Sequence, residues 1–335
     1  MNGKAQEGAG ATAACRRRAR IDPVHVLGID VGGTKTVCLL GDERGQIVAS
    51  ARGPGANLQA AGELGLEKVL HQVMEETLGH EDGSPSAVCL GIAGVDRPED
   101  KAIVHGIMSR ISSKARVLVV NDALIALRAT LADGAGIVIV AGTGSIAYGC
   151  DRHGRAARAG GWGYVLGDEG SGYWMGRLAI RAIVREADGR GARTKLTRRV
   201  LAHFGVDRPD DLLHTVYRDH FEPSVIAALA ADVQQAHDEG DAAATAILVR
   251  GAEELVAAAA SVVTQLGLKD DQFTIVLSGG MFKAAPWLRE QVTRLLPAIA
   301  PRSRVVHLQV EPALGAVRLA LAELRGGAII PIYKR

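Results

Sequence analysis

The stretch VHVLGIDVGGTKT, residues 24–36, decides the fold of this chain. Val24–Asp30 is a short apolar run, which predicts a buried strand. It is followed by the turn Val31-Gly32-Gly33-Thr34, where two adjacent glycines interrupt the pattern. The strand-and-turn pattern indicates an α/β protein whose functional groups lie where strands end.

The chemistry of this first turn favours a phosphate ligand. Gly32 and Gly33 have no Cβ, so their backbone N–H groups can approach phosphate oxygens closely. Thr34 adds a hydroxyl donor and Lys35 adds a positive charge. Asp30, at the strand end, can hold Mg²⁺ directly or through water. The simpler alternative is a tight hairpin, and the GxxxxGK[ST] pattern of a P-loop is absent.

The same arrangement recurs about 110 residues later. A β-branched strand at Gly136–Val140 ends in Ala141-Gly142-Thr143-Gly144-Ser145. Two glycine turns at matching places in two halves of a chain predict two hairpins that hold phosphates from opposite sides. A third turn, Ser278-Gly279-Gly280, follows the strand Phe273–Leu277. It suits the nucleoside or α-phosphate, although a strand-to-helix turn explains it equally well.

The remaining pattern predicts a duplicated α/β unit. The expected elements of the first unit are a hairpin of Val37–Leu40 with Gln46–Ser50, a helix at Leu58–Leu78, a strand at Ala87–Ala93, a helix at Glu99–Ile111, a strand at Arg116–Val120 and a helix at Ala123–Leu131. In the second unit we expect almost continuous helix from Met175 to Leu266, then a helix at Pro286–Leu296, a strand at Arg304–Leu308 and a helix at Pro312–Leu324.

Acidic residues at two places in the sequence are candidates for proton transfer and for sugar binding. Asp122 follows a strand, and a carboxylate there can accept the proton of an attacking hydroxyl, although Asp122 could instead cap the helix from Ala123. The glycine-rich segment Gly160–Trp174 contains Asp168 and Glu169, which can accept hydrogen bonds from sugar hydroxyls. A helix expected to start after Glu169 would supply N–H donors. The alternative is a structural loop with solvated acids.

Composition narrows the class of protein. The chain has 335 residues, of which 47% are hydrophobic, so it can bury more than one core. No apolar run approaches the roughly 20 residues of a membrane helix. The first twenty residues hold five basic residues and one acid, while the whole chain is only +2. The basicity is therefore concentrated in a tail at residues 1–22, which we expect to be disordered, and the body is not expected to bind nucleic acid.

The cysteines indicate a reducing compartment. Cys15, Cys38, Cys89 and Cys150 show no CxxC spacing, and Cys38 and Cys89 lie in apolar strand patterns where a reduced buried thiol is the rule. We expect a cytoplasmic protein.

These motifs together resemble the N-acetylglucosamine kinase family, within the BadF/BadG/BcrA/BcrD-type ATPases of the actin, Hsp70 and sugar-kinase superfamily. The resemblance covers about residues 24–325, and its most specific part is Gly160–Trp174. It implies an α/β fold of two ribonuclease-H-like (actin-like ATPase) domains that face a central cleft. The implied boundaries are 23–124 with the C-terminal helix 312–325 for the first domain, and 125–311 with a helical insertion at about 175–266 for the second.

The resemblance also implies ATP-dependent phosphorylation of an amino sugar, with Mg²⁺ held by Asp30 and with Asp122 as the base for the sugar 6-hydroxyl. The implied ATP contacts are Gly32, Gly33, Thr34, Lys35, Gly142, Thr143, Gly144, Gly279 and Gly280. The implied sugar contacts are Asn57, Asp122, Thr143, Gly160, Gly161 and Asp168. We expect a homodimer without membrane or nucleic-acid partners. Leu58 stands where an aromatic residue is expected in the animal members, so glucosamine is an alternative to N-acetylglucosamine.

Two rival classes fit less well. ROK-family glucokinases share the Asp-x-Gly-Gly-Thr-Lys motif, but their Glu-x-Gly-His motif and cysteine-rich zinc cluster are absent. ATPases that activate radical dehydratases or reductases hold an iron–sulfur cluster through cysteines near mid-chain, and residues 151–280 contain no cysteine.

Overall fold

The computed structural model describes residues 24–79, 84–95, 97–112, 114–218 and 222–333. The tail expected at residues 1–22 lies outside the described residues. The described chain contains two sheets, each covered by helices, which confirms the expected two-sheet α/β fold.

The first sheet has five strands in the order β3-β2-β1-β4-β5. Its strands are β1 (Val26–Val31), β2 (Lys35–Gly41), β3 (Ile47–Pro54), β4 (Ala87–Ile92) and β5 (Arg116–Asn121), and its helices are α1 (Leu58–Leu78), α2 (Pro98–Ile111) and α3 (Asp122–Thr130). β1 pairs antiparallel with β2 and parallel with β4. Apolar side chains from β1, β4 and the helices over them form a fully buried core, as the continuous apolar runs predict.

The second sheet repeats this topology in the order β10-β9-β6-β7-β8-β11. Its strands are β6 (Gly136–Ala141), β7 (Ser145–Cys150), β8 (Arg155–Gly160), β9 (Thr274–Ser278), β10 (Arg304–His307) and β11 (Ile332–Tyr333). β6 pairs antiparallel with β7 and parallel with β9, as β1 does with β2 and β4. The two sheets therefore carry the same strand–turn–strand unit at equivalent places.

Helices fill the long connection between β8 and β9. They are α4 (Gly172–Ala187), α5 (Leu196–Phe204), α6 (Asp211–Arg218), α7 (Pro223–Ala228), α8 (Ala230–Asp238) and α9 (Ala242–Leu266), and they are followed after β9 by α10 (Met281–Ala284), α11 (Pro286–Leu295) and a 3-10 turn at Leu296–Ala298. α9 is the longest of these, and its buried face forms part of the second core. This face places α9 against the second sheet.

The helix α12 (Ala313–Leu324) lies in sequence between β10 and β11 of the second sheet but packs on the first. A Cβ added at Gly28 of β1 would lie 2.4 Å from the backbone nitrogen of Val317. A Cβ at Gly315 would lie 1.9 Å from the carbonyl oxygen of Ile125 in α3. Two glycines therefore allow α12 to lie in backbone contact with β1 on one side and α3 on the other.

Among the described residues, no helix has the length and apolar character required to cross a membrane.

Candidate active site

The two glycine turns meet in space. The hydroxyls of Thr34 and Thr143, 109 residues apart, are hydrogen-bonded at 2.8 Å. Each turn is closed by its own backbone bond, because the Gly32 N–H donates to the Lys35 carbonyl at 3.0 Å and the Gly142 N–H donates to the Gly144 carbonyl at 2.9 Å. The turns that connect β1 to β2 and β6 to β7 therefore lie against each other across the junction of the two sheets.

The third glycine turn lies beside the second. Gly279 has a φ of +111°, which L-residues rarely adopt. A Cβ on Gly279 would lie 2.1 Å from the carbonyl oxygen of Ala141, the last residue of β6. Gly280 follows directly and precedes α10. The three turns expected to contact a nucleotide thus lie close together, two of them in backbone contact.

Asp30 lies at the end of β1 among charged groups. Its pKa is raised from 3.8 to about 7, first by burial and then by the negative charge of Asp122. The ammonium of Lys35 acts in the opposite direction, and Glu311 adds a further negative charge. A carboxylate in this setting is destabilised by a neighbouring carboxylate, and a cation would relieve that repulsion.

Asp122 is the first residue of α3, which begins where β5 ends. The N-cap is Asn121, whose side chain accepts the Ala123 N–H at 2.8 Å. The Asp122 carboxylate accepts the same N–H at 2.9 Å. The capping position that was weighed for Asp122 therefore belongs to Asn121, while Asp122 lies close enough to Asp30 to raise its pKa.

Glu311 is a charged residue of the site that the sequence analysis missed. It accepts from the Lys35 ammonium at 2.8 Å and from the Arg52 guanidinium at 2.7 Å. Although burial acts to raise the pKa of Glu311, these two cations hold it below its ordinary value. Glu311 stands just before α12, so the ion pairs join the start of that helix to β2 and β3. Its partners are 276 and 259 residues away, and no local signal in the sequence pairs them.

Asn57 lies against the first turn. Its Nδ2 atom would be 3.3 Å from a Cβ at Gly33, and the neighbouring Ala56 N–H donates to the Gly32 carbonyl at 3.2 Å. Leu58, by contrast, packs against the apolar core of the first sheet. The loop before α1 therefore brings an amide to the turn.

Asp168 lies against the second turn. A Cβ at Gly144 would be 2.5 Å from its carboxylate, so only glycine leaves room for it. The backbone N–H groups of Ser145 and Gly163 hydrogen-bond to the carboxylate, but burial outweighs them and raises the pKa of Asp168 from 3.8 to about 6. Its φ of +59° is the only positive φ among the described non-glycine residues. Such a conformation persists only where the surroundings enforce it.

Gly160 and Gly161 continue the same loop. Their φ angles are +75° and +69°, and the Gly161 N–H donates to the Ser145 carbonyl at 3.0 Å. The Ser145 hydroxyl donates to the Glu169 carbonyl at 2.8 Å. The sequence predicted Ser145 only as the last residue of the second turn. Through these contacts and its amide bond to Asp168, Ser145 also attaches the glycine-rich loop to β7.

The helix expected after Glu169 begins at Gly172, with Ser171 as its N-cap. The Gly172 N–H donates to the Gly142 carbonyl at 2.8 Å and the Tyr173 N–H donates to the Thr143 carbonyl at 3.3 Å. These first helical donors, which the sequence analysis assigned to ligand binding, therefore fix the second glycine turn. The expectation was wrong in this respect because backbone donors near a tight turn are satisfied by its carbonyls.

Comparisons with known proteins place the chain among sugar-kinase relatives. The chain is 33% identical over 303 residues, 89% of this chain and 99% of the relative, to an N-acetylmuramic acid/N-acetylglucosamine kinase of Clostridium acetobutylicum. It is 32% identical to an N-acetyl-D-glucosamine kinase of Dictyostelium discoideum, over 88% of this chain and 97% of that one. A solved structure from Chromobacterium violaceum, provisionally assigned as an N-acetylglucosamine kinase, matches with a TM-score of 0.70 and 27% identity over 89% of this chain and 99% of its own.

A family model of ATPases matches residues 27–320, which include every candidate residue described above. The match extends from β1 into α12 and therefore covers the first sheet, strands β6 to β10 of the second sheet and all three glycine turns. The chain belongs to the BadF/BadG/BcrA/BcrD ATPase family.

Proposed function

We propose that this protein is an ATP-dependent kinase that transfers a phosphoryl group to a hydroxyl of an amino sugar, most specifically the 6-hydroxyl of N-acetylglucosamine. The observation that carries the proposal is the contact between Thr34 and Thr143, which brings both glycine turns to one place. Asp122 and Asp168 lie at that place, the first near Asp30 and the second against Gly144.

The proposed roles follow from the chemistry of each group. The turns at 32–34, 142–144 and 279–280 offer backbone N–H groups to the phosphates of ATP. Asp122 accepts the proton of the sugar hydroxyl that attacks the γ-phosphorus. Asn57, Thr143, Gly160, Gly161 and Asp168 bind the sugar, and Asp168 is fixed by the Ser145 and Gly163 amides. Preorganised donors of this kind stabilise charge that develops during the transfer.

The residues on the ATP side fit a magnesium ion that is held jointly with the phosphates of ATP. Such sharing is required because the described residues contain no group of three or more His, Cys, Asp or Glu side chains that could hold a metal ion. Mg²⁺ in kinases is commonly held by one or two carboxylates together with substrate phosphates, and the destabilised carboxylate of Asp30 suits that role. The ion would neutralise charge on the transferred phosphoryl group.

The identity of the sugar is the finer part of the proposal. The names of the two relatives, which cover most of this chain, favour N-acetylglucosamine. The residue directly after Asn57 favours the alternative, glucosamine, because it is Leu58, an aliphatic side chain that packs against the first core, where the animal members are expected to have an aromatic residue. Activation of a radical dehydratase is disfavoured by the absence of cysteine from residues 151–280.

A coupled ADP-release assay tests the proposal. The purified protein is given ATP, Mg²⁺ and either N-acetylglucosamine, glucosamine, N-acetylmannosamine or glucose. We expect ADP release that requires sugar and is fastest with N-acetylglucosamine, and mass spectrometry should find the product phosphorylated at the 6-position. ADP release at the same rate with and without every sugar would contradict the proposal.

The compartment and assembly complete the proposal. Cys38, Cys89 and Cys150 are free and buried, and burial raises the pKa of all three thiols, which suits a reducing cytoplasm. We further propose that the protein is a homodimer that binds no nucleic acid. Light scattering would give the mass of a single chain if the dimer is absent, and a gel-shift assay would detect nucleic-acid binding.

A further inference from the structure

Arg158 contacts the loop that the proposed function assigns to the sugar. It lies on β8, opposite Tyr148 of β7, and is half-buried. Its Nη1 atom donates to the carbonyl of Gly160 at 2.8 Å and to that of Gly161 at 3.4 Å. One guanidinium nitrogen therefore holds two successive carbonyls.

These bonds restrain a peptide group between two glycines. Glycine has the widest range of backbone conformations, and both Gly160 and Gly161 have positive φ. The peptide between them is held at both ends, because its oxygen accepts from Arg158 and its N–H donates to the Ser145 carbonyl at 3.0 Å. The orientation of this peptide is thus set before any ligand binds.

The same guanidinium also holds the next residue. Its central carbon lies 4.8 Å from the centroid of the Trp162 ring, within the range of a cation–π contact. Trp162 is 62% exposed, so the arginine supports an otherwise solvent-facing ring. Gly163 follows, and its N–H hydrogen-bonds to the Asp168 carboxylate. Contacts from Arg158 and Ser145 therefore extend along the loop to the residue proposed to bind the sugar hydroxyls.

We infer that Arg158 is a positioning residue that preorganises the Gly160–Asp168 loop for the amino sugar. The inference rests on the proposed function and adds the residue that makes the loop rigid. Without Arg158, the loop would keep its bonds to Ser145 but lose those to the Gly160 and Gly161 carbonyls. Part of its ordering would then occur only when sugar binds, and that ordering would weaken sugar binding.

The test compares Arg158→Met with Arg152→Met. Arg152 is an exposed arginine in the same hairpin, and its guanidinium lies 3.6 Å from the Asp271 carboxylate in an exposed ion pair. In Arg158→Met we expect KM for the amino sugar to rise about 10-fold, with kcat and KM for ATP within about 2-fold of wild type. Arg158→Lys, which keeps the charge but not the fork, should give a smaller rise of about 3-fold. Arg152→Met should behave as wild type.

Hydrogen exchange supplies a readout that does not depend on turnover. Peptides covering Gly160–Gly167 should exchange faster in Arg158→Met than in wild type, and Arg152→Met should leave them unchanged. An unchanged sugar KM in Arg158→Met would overturn the inference. So would a loss of kcat and of affinity for both substrates together with a lowered Tm, since that pattern marks a general structural role.

If Arg158→Met does not fold, a sugar KM in Arg158→Lys equal to that of wild type overturns the inference.

Two outcomes separate this inference from the proposed function. If the wild-type protein releases no sugar-dependent ADP, the proposed function fails and the role of Arg158 toward a sugar fails with it. Normal wild-type turnover with an unchanged sugar KM in the variants overturns the inference alone.

Discussion

At individual residues, the arrangement of the site depends on whether a side-chain atom is present or absent. Gly144 has no Cβ, and the Asp168 carboxylate occupies that space, 2.5 Å from where the Cβ would be. Burial raises the pKa of both Asp168 and Asp30, but the neighbouring groups act in opposite directions. Amide donors lower the pKa of Asp168, whereas the Asp122 carboxylate raises that of Asp30 further. Groups with such perturbed pKa values are concentrated at functional sites.

Asp122→Asn tests the base. If Asp122 accepts the proton of the sugar hydroxyl, we expect kcat to fall by at least about 100-fold while KM for ATP changes little. ADP release at saturating substrates measures the effect. Asp133→Asn, in the exposed turn before β6, is the matched control and should keep wild-type turnover. Near-normal kcat in Asp122→Asn would remove Asp122 from this role.

Asp168→Asn tests whether the sugar site is built at the expense of stability. An unfolded Asp168 loses its proton near pH 4 and the folded one near pH 6, so between these values the folded state binds the extra proton. Stability from this residue therefore falls as pH rises from about 4 to about 6. Asparagine cannot ionise and tolerates a positive φ, so the variant should be more stable than wild type at pH 7.5 by about 1–3 kcal/mol.

Thermal unfolding at several pH values measures this difference. The stability gain of Asp168→Asn should shrink below pH 5, where the wild-type carboxyl is protonated in the folded state. Its KM for the amino sugar should rise, because the ionised acceptor is lost. A variant that is less stable than wild type at pH 7.5 would contradict the assignment of burial as the dominant influence on Asp168.

The secondary-structure elements show what the sequence could predict. The first strand was expected at Val24–Asp30 and lies at Val26–Val31, and the last helix was expected at Pro312–Leu324 and lies at Ala313–Leu324. Their predominantly apolar sequences give strong local signals. β8 was not predicted, because its sequence, RAARAG, lacks apolar alternation, and it forms by pairing with β7. The kink in α1 at Gly62, with φ of +67°, was also missed.

The packing of α12 gives a prediction at the scale of elements. Gly315→Ala should destabilise the protein by about 2 kcal/mol or more, because its Cβ would overlap the Ile125 carbonyl in α3. Gly106→Ala is the matched control, since Gly106 lies inside α2 and its Cβ would meet only the Arg110 side chain at 3.9 Å. That variant should be stabilised by about 0.5–1 kcal/mol.

Urea unfolding of the two variants and the wild type gives both values. The opposite signs distinguish helix packing from helix propensity, because alanine favours a helix at both positions. Equal stabilisation of the two variants would mean that α12 does not lie in backbone contact with α3.

For the whole molecule, the two sheets form a single site only through their relative placement. The matching glycine turns predicted a shared cleft, but the contact between Thr34 and Thr143 spans 109 residues and depends on how one sheet is oriented on the other. The same holds for Glu311, whose partners lie on β2 and β3. The domain boundaries at residues 124 and 311 stay a prediction, although α12 packs on the first sheet as the assignment of 312–325 requires.

If the two halves must separate for substrates to reach the cleft, a covalent link between the turns should stop turnover. The Thr34 and Thr143 side-chain oxygens lie 2.8 Å apart, so cysteines at both positions are close enough to form a disulfide. We expect the oxidised Thr34→Cys/Thr143→Cys protein to lose most of the activity that its reduced form shows, and dithiothreitol to restore it. Mass spectrometry verifies the bond, and each single variant is the control for oxidation elsewhere. Cys38, Cys89 and Cys150 are buried and should not interfere. Equal turnover in the oxidised and reduced forms would show that substrates reach the site without separation of these turns, because the disulfide holds the two halves together at the point where the phosphates are proposed to bind.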